Sequence, residues 1–430
     1  MSVVDRLKRL TNEKSGDAAQ REREAKISDV RRRIVQIMER RPGQPPAPPP
    51  EPRAEPLQLS AVSRGEEVLT PFGSCYAATG EVHAGSFYGR RRIRELTEVS
   101  MRAAALLAGD DRLADFRFDD ALFLDTETTG LAGGTGTLAF LVGLGWFSGE
   151  AFVTRQLFAR DFAEEPAVLS HLAELARDKR FLVTFNGKSF DVGLLSTRFV
   201  LNRRRDPLSS LPHLDLLHPS RRLLGHRLTD VRLSTLETEI LGVRREGDVL
   251  GSEIPQRYFD WLRYRDARLM ADVLEHNRLD VISMAMLLVH LAELLECGHD
   301  AEAPHPRDLL AAAKLHLERG DAACGEALVW KLVETDDSEV VVEAARLLSL
   351  LHKRAGRWPQ AIELWEQMLR VDPGDVFAIE ELAKWCEHRA GDFTRAIALV
   401  SRALDDRRWG ERETRERLAY RLDRLQRRSR

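Results

Sequence analysis

The segment LFLDTETTG, residues 122–130, puts two acids at the end of an apolar strand. Side chains at i and i+2 of a strand project from one face, so Asp125 and Glu127 stand side by side. No Lys or Arg lies between them. Adjacent carboxylates repel unless a cation sits there, and Mg²⁺ or Mn²⁺ prefers such oxygen ligands. The Thr128-Thr129-Gly130-Leu131 turn offers hydroxyls and backbone N–H groups to a phosphate or sugar. An Asp-x-Glu alone also describes an ordinary strand end; the continuation DTETTGL makes it specific.

Two later segments carry compatible chemistry. In FLVTFNGKSFD, residues 181–191, an apolar strand runs into a turn and then a helix. Gly187 permits a tight turn. Asn186 can hydrogen-bond a sugar or base edge, Lys188 can meet a phosphate, and Asp191 is either a ligand or a helix cap. In EHNRLDVISM, His276 and Asp280 are four residues apart and share a helix face. Such a pair can set a general base beside a metal-bound water, or be a plain surface hydrogen bond.

Around these segments the hydrophobic period switches repeatedly. ALFLDTE, TLAFLVGLGWF, AFVTRQLF and FLVTF read as strands, HLDLLH as a fifth, with helical patterns between them. The pattern predicts an α/β domain over 121–296, a mixed sheet flanked by helices, closed by a long helix through LMADVLEHNRLDVISMAMLLVHLAELLE. Residues 57–120 read as an extension packed on that domain, with Arg90, Arg91, Arg92 and Arg94 as possible phosphate contacts. Residues 1–56 read as a tail. It has a helical stripe at Ile27, Val30, Ile34, Ile37 and Met38, then a spacer with eight of the chain's 18 prolines.

From residue 304 to 430 the pattern is helical and repetitive. Gly356, Trp358, Ala361, Trp365 and Pro373 have partial echoes in Gly391, Phe393 and Ala396 and in Gly320 and Ala322. Tetratricopeptide repeats have a period of about 34 residues with small and aromatic residues at such places. Leu418, Leu422 and Leu425 would cap the array.

Composition bounds the alternatives. Lys+Arg 65 against Asp+Glu 68 leaves a net charge of -3, which excludes a broadly basic nucleic-acid coat. Residues 121–296 hold 21 basic and 24 acidic side chains, so that domain is close to neutral as well. The four cysteines form no CxxC pair, so neither a zinc site nor a disulfide framework is expected, and a reducing cytoplasm fits. No long apolar run suggests a signal peptide or membrane span.

Together the three acidic segments resemble the DEDD exonuclease superfamily, which has the ribonuclease H-like fold. The resemblance is nearest to its YprB-like subfamily. It shows in DTETTGLAGGTG, TFNGKSFD, HLDLLHPSRRLL, LSTLETEILGVRR, GSEIPQRYFDWLR and HNRLDV, over about residues 60–296. It implies that Asp125, Glu127, Asp191 and Asp280 hold two Mg²⁺ or Mn²⁺ ions about 4 Å apart for in-line attack on a phosphodiester. It also implies 3′–5′ polarity on single-stranded or frayed DNA or RNA, and hints at a helicase as companion. Thr128, Asn186 and Lys188 would position the terminal nucleotide. The family usually carries YxxxD or HxxxxD at its last motif; His276 stands here at the tyrosine spacing and is the candidate base, with Glu275 a weaker one. Asp215 is a candidate support for the metal site, and Arg221, Arg222, Arg244 and Arg245 are candidate phosphate clamps. Phe190 and Trp261 are candidate stacking residues. A catalytically dead scaffold and a ribonuclease H-type endonuclease remain as alternative classes.

Overall fold

Alternating and fully apolar runs become strands, and the long helical stripes become helices that cover them. In the computed structural model residues 55–130, 136–296, 304–405 and 412–428 are described. The Ile27–Met38 stripe, nearly all of the Pro-rich run and Leu131 of the first acidic motif lie outside those residues.

One sheet holds seven strands: β1 (Gly65–Thr70), β2 (Gly73–His83), β5 (Ala121–Thr128), β6 (Ala139–Ser148), β7 (Ala151–Phe158), β8 (Phe181–Thr184) and β9 (His213–Asp215). A two-residue ribbon, β3 (Phe87–Tyr88) with β4 (Arg91–Arg92), stands apart. The sheet order is β1-β2-β7-β6-β5-β8-β9. The β1, β2, β7, β6 and β5 neighbours are antiparallel, with tight turns joining β1 to β2 and β6 to β7. Crossovers through helices make β5, β8 and β9 parallel. The first two strands come from the 57–120 segment: β2 pairs with β7 from Tyr76 to His83, so this segment lengthens the sheet as well as packing on it.

The principal helices are α1 (Met101–Ala108), α2 (Glu165–Leu175), α3 (Asp191–Leu201), α4 (Leu217–Leu224), α5 (Ile254–Tyr264) and α6 (Arg268–Glu293). One sheet face, with Leu122, Leu124, Val142 and Leu182, packs against α2 and α3. The opposite face, with Phe123, Phe152 and Val183, packs against α6 and α1. Asp125 and Glu127 share the parity of Phe123, so they lie on the α6 side.

Helix α6 lies unusually close to the sheet. A Cβ on Gly143 would stand 2.2 Å from Asn277 Oδ1, and one on Gly145 would stand 2.5 Å from Val281 Cγ1. Alternate glycines on one strand face therefore open a trough that receives two residues one helical turn apart. The β5–β6 register also shifts between Glu127 and Thr128, and such a bulge re-aims the side chains at the strand end.

Beyond residue 304 the chain is helical: α7 (Pro306–Glu318), α8 (Ala322–Val333), α9 (Ser338–Arg354), α10 (Trp358–Val371), α11 (Val376–Trp385), α12 (Phe393–Asp405) and α13 (Arg412–Arg428). Gly320, Gly356 and Gly391 occupy the turns α7–α8, α9–α10 and α11–α12, each with positive φ (85°, 71° and 67°). Ala361, Trp365 and Ala396 are fully buried between helices. Leu309, Leu310, Leu328 and Leu348 join the same core as α6, so the helical region is continuous with the sheet domain. At the far end Leu418 and Leu425 of α13 pack on Ile379 and Val400. The buried Glu387 accepts hydrogen bonds from Arg424 (2.6 Å) and Arg428 (2.9 Å) of the same helix.

Cys75 and Cys386 are free and buried. Cys324 is disulfide-bonded, which corrects the expectation of unpaired cysteines; spacing along the chain does not reveal which thiols a fold brings together. Among the described residues no helix is long and apolar enough to cross a membrane.

Candidate active site

Parallel strands β5, β8 and β9 end at one edge of the sheet, where open α/β sheets collect ligands. Asp125 is the first polar residue on β5 after four buried apolar ones. Behind it runs a buried amide relay. Gln156 Nε2 donates to Asn277 Oδ1 (2.9 Å) and to the Leu274 carbonyl (2.7 Å), and Asn277 Nδ2 donates to Asp125 Oδ2 (2.8 Å). Gln156 thus fixes which end of the Asn277 amide faces the acid. Burial raises the Asp125 carboxyl well above the usual carboxylate range, and the charges of Asp280 and Asp191 add to that rise. Burial likewise raises Glu127, with Asp125, Asp280 and Asp191 contributing. The Glu127 carboxylate has no hydrogen-bond partner among the described residues.

Asp191 opens α3 beyond the end of β8 and is 9% exposed. It is not the N-cap. It accepts a hydrogen bond from Thr126 Oγ1, on the β5 face opposite Asp125. Burial pushes its carboxyl up to about 6. The preceding loop is organised by Asp215 at the end of β9. Its Oδ1 accepts from the backbone N–H of Asn186 (2.7 Å) and Leu217 (3.1 Å), and its Oδ2 from that of Lys188 (2.9 Å). Asn186 takes the left-handed conformation of this turn (φ 67°). Gly187 is needed for closeness instead, since a Cβ there would meet the Thr184 side chain at 2.5 Å.

Asp280 enters from α6. Its Oδ1 accepts from Arg245 Nη2 (2.5 Å), and its Oδ2 lies 3.6 Å from His276 Nε2. His276 Nδ1 is 2.8 Å from Asp248 Oδ1 and 3.4 Å from Arg245 Nη1, so these two residues hold the ring with Nε2 toward Asp280. Arg245 also pairs with Asp248 (3.3 Å) and with the buried Glu237, which accepts from Ser283 as well. Burial opposes the Arg245 charge, yet Asp280 and Glu237 hold its pKa above the usual guanidinium value.

Asp125, Glu127, Asp191 and Asp280 thus lie within electrostatic reach of one another, with His276 beside Asp280. Thr128 is near by sequence, its Oγ1 turned to the Gly130 carbonyl (2.9 Å). Lys188 instead lines a cavity with Asp215, His218, Arg222 and Arg319. Other expectations need correction. Arg245 is an internal counter-charge, because its side chain is only 8% exposed and three acids surround it. Arg222 pairs with Glu318, and Arg91 with Glu293 and Glu95. Trp261 is 5% exposed and donates from Nε1 to the Arg160 carbonyl (2.9 Å), so it belongs to the core; Phe190 is 57% exposed beside Asp191. Glu275 is tied to Arg278 (2.6 Å). Asn277 and Gln156 escaped the sequence reading. A signal existed: Asn277 interrupts the apolar stripe Met270, Val273, Leu274 and Val281, and a polar residue in a buried stripe needs partners.

The donor set suits a hard divalent cation. Four carboxylates lie within electrostatic reach of one another with Arg245 beside Asp280; burial first, and neighbouring acids second, raise Asp125 and Glu127, and Glu127 has no hydrogen-bond partner among the described residues. Truncating Asn277→Ala removes the only side chain that donates to Asp125 among the described residues. We expect a loss of about 1–3 kcal/mol of stability and a weaker response of Tm to added Mn²⁺, read by thermal denaturation with and without the metal.

Residues 122–292 match the family model for the RNase H superfamily. The chain is also 37% identical over 319 residues to the uncharacterised protein YprB of Bacillus subtilis (strain 168), covering 72% of this chain and 75% of that protein.

Proposed function

The chain belongs to the RNase H superfamily, a group of nucleic-acid-processing hydrolases, and from that premise we propose that it is a DEDD-type 3′–5′ exonuclease acting on single-stranded or frayed DNA or RNA. The observation that supports this reading is that carboxylates from β5, α3 and α6 lie within electrostatic reach of one another beyond the ends of the parallel strands.

In this reading Asp125, Glu127, Asp191 and Asp280 hold two divalent ions, Mg²⁺ or Mn²⁺, which when bound supply Lewis acidity to the phosphodiester and acidity to water. The protein's own contribution is positional. Asn277 and Thr126 fix two of the acids from opposite sides of β5. His276, held at Nδ1 by Asp248, presents Nε2 to take a proton from the attacking water. Thr128 and Asn186 flank the terminal nucleotide, and the exposed Phe190 ring offers a base a stacking surface. Lys188 serves the strand farther along. The helical region is read as tetratricopeptide-like repeats that recruit a protein partner, with a helicase as the companion suggested by family resemblance, in the cytoplasm.

The test is a digestion panel of linear and circular single strands with label at either end, with Mg²⁺ or Mn²⁺ and with chelator. Stepwise loss from the 3′ end, no loss with chelator and an untouched circle are expected. Cleavage of the circle, or of a circular RNA–DNA hybrid, would instead identify an endonuclease.

A further inference from the structure

Beside the loop that carries Asn186 and Lys188, a cavity of about 280 Å³ opens between the sheet domain and the first helix of the helical region. Lys188, His218 of α4, Arg222 and Arg319 at the end of α7 line it, with Leu107 and Leu315 as apolar wall. Arg222 is neutralised by Glu318. Lys188, His218 and Arg319 have no ion-pair partner among the described residues. Two nearby acids are already engaged. Asp215 spends both oxygens on backbone N–H groups. Asp110, whose charge Lys188 reaches, is clasped by Arg112 (2.6 Å).

The cavity is shaped around Arg319. Gly109, which ends α1 with φ 67°, would place a Cβ 2.4 Å from Arg319 Nη2. The bare glycine gives the guanidinium room against the end of α1, and its fork has donors to spare. Two cationic donors, Lys188 and Arg319, and the His218 imidazole line one cavity with a small apolar wall, a set that matches a phosphodiester oxygen pair and its sugar.

We propose that this cavity is a second phosphate subsite, which holds a backbone phosphate of the strand whose 3′ end lies at the carboxylates. Lys188 and Asp191 are three residues apart, so their Cα atoms are within about 11 Å. That places the subsite a small number of nucleotides to the uncleaved side of the scissile bond. The helical region then takes part in substrate binding through Arg319. The inference rests on the nuclease reading above.

The experiment compares Arg319→Glu and Arg319→Lys with the parent, all three carrying Asp125→Asn so that substrate is not consumed. Fluorescence anisotropy follows a labelled twelve-nucleotide strand and a labelled dinucleotide. Arg319→Glu should weaken the long strand by about tenfold and make its salt dependence shallower by about one ion. It should leave the dinucleotide unchanged, and Arg319→Lys should restore most of the loss. Equal weakening of both ligands, or of neither, overturns the subsite. The parent enzyme with Asp125 intact supplies the separate arm. If it digests DNA or RNA with metal while Arg319→Glu binds the long strand normally, the subsite fails and the nuclease reading stands. If Arg319→Glu loses the long strand while no digestion occurs under any metal, the subsite stands and the nuclease reading fails.

Discussion

Asp125→Asn should abolish metal-dependent digestion and, in metal-free buffer, leave the protein at least as stable as the parent. The rate should fall by about a thousandfold, since metal stabilisation of the transition state is worth several kcal/mol. The stability half of the result follows from the acid cluster. Burial raises the carboxyls of Asp125 and Asp191, so the folded state favours their protonated forms. Their contribution to stability is therefore greatest below the unfolded values, about 4, and is lost as pH rises through the raised folded values. Asp191 places that loss at about pH 6. At pH 7 the metal-free parent lies above the Asp191 value and holds that desolvated charge beside the other acids of the cluster. Asn removes one acid from the cluster and can still accept from Asn277. A divalent ion should raise the parent's Tm at pH 7 and raise that of Asp125→Asn much less. A variant that digests at the parent's rate would remove Asp125 from the site.

Arg245→Met should be among the most destabilising single changes in the sheet domain, at about 3–5 kcal/mol. The substitution keeps the apolar stem but strips the charge that Glu237 faces. Glu237 is 2% exposed, and Ser283 is its remaining side-chain partner among those hydrogen bonds. An uncompensated buried carboxylate is the source of the loss. Adding Glu237→Gln should recover much of it, because the amide still meets Ser283 without the charge. Urea denaturation of the two single variants and the double closes the cycle. If Arg245→Met unfolds at the parent's midpoint, the guanidinium is not an internal counter-charge and its assignment as a phosphate clamp returns.

The strands from residue 121 to 215 were legible because their apolar runs are short and punctuated, and α6 because its stripe persists for seven turns. The acids were legible as types in a pattern, and the structure brings them to one edge. Three features were not. Nothing in the alternation of GSCYAATGEVH says which edge a hairpin will join, so the pairing of β2 with β7 was hidden. Arg244 and Arg245 look alike in sequence, yet one is exposed and the other faces three acids; the difference arises only when Glu237, Asp248 and Asp280 are brought together from separate elements. Lys188 reads as part of the acidic motif, but the left-handed turn at Asn186 and the grip of Asp215 on the backbone set it toward α4 and α7. Local sequence encodes which groups exist, and long-range packing decides what each one faces.

The two glycines of β6 have a bearing on how the site tolerates change. Three of the acids sit on two bodies, Asp125 and Glu127 on a strand and Asp280 on a helix. The gap between those bodies is set where Gly143 and Gly145 carry no side chain to hold the helix off. The gauge of the centre is thus cut into the middle of the sheet. Loops at its rim can lengthen, shorten or exchange partners without resetting it, whereas a single methyl group buried out of sight of any substrate would.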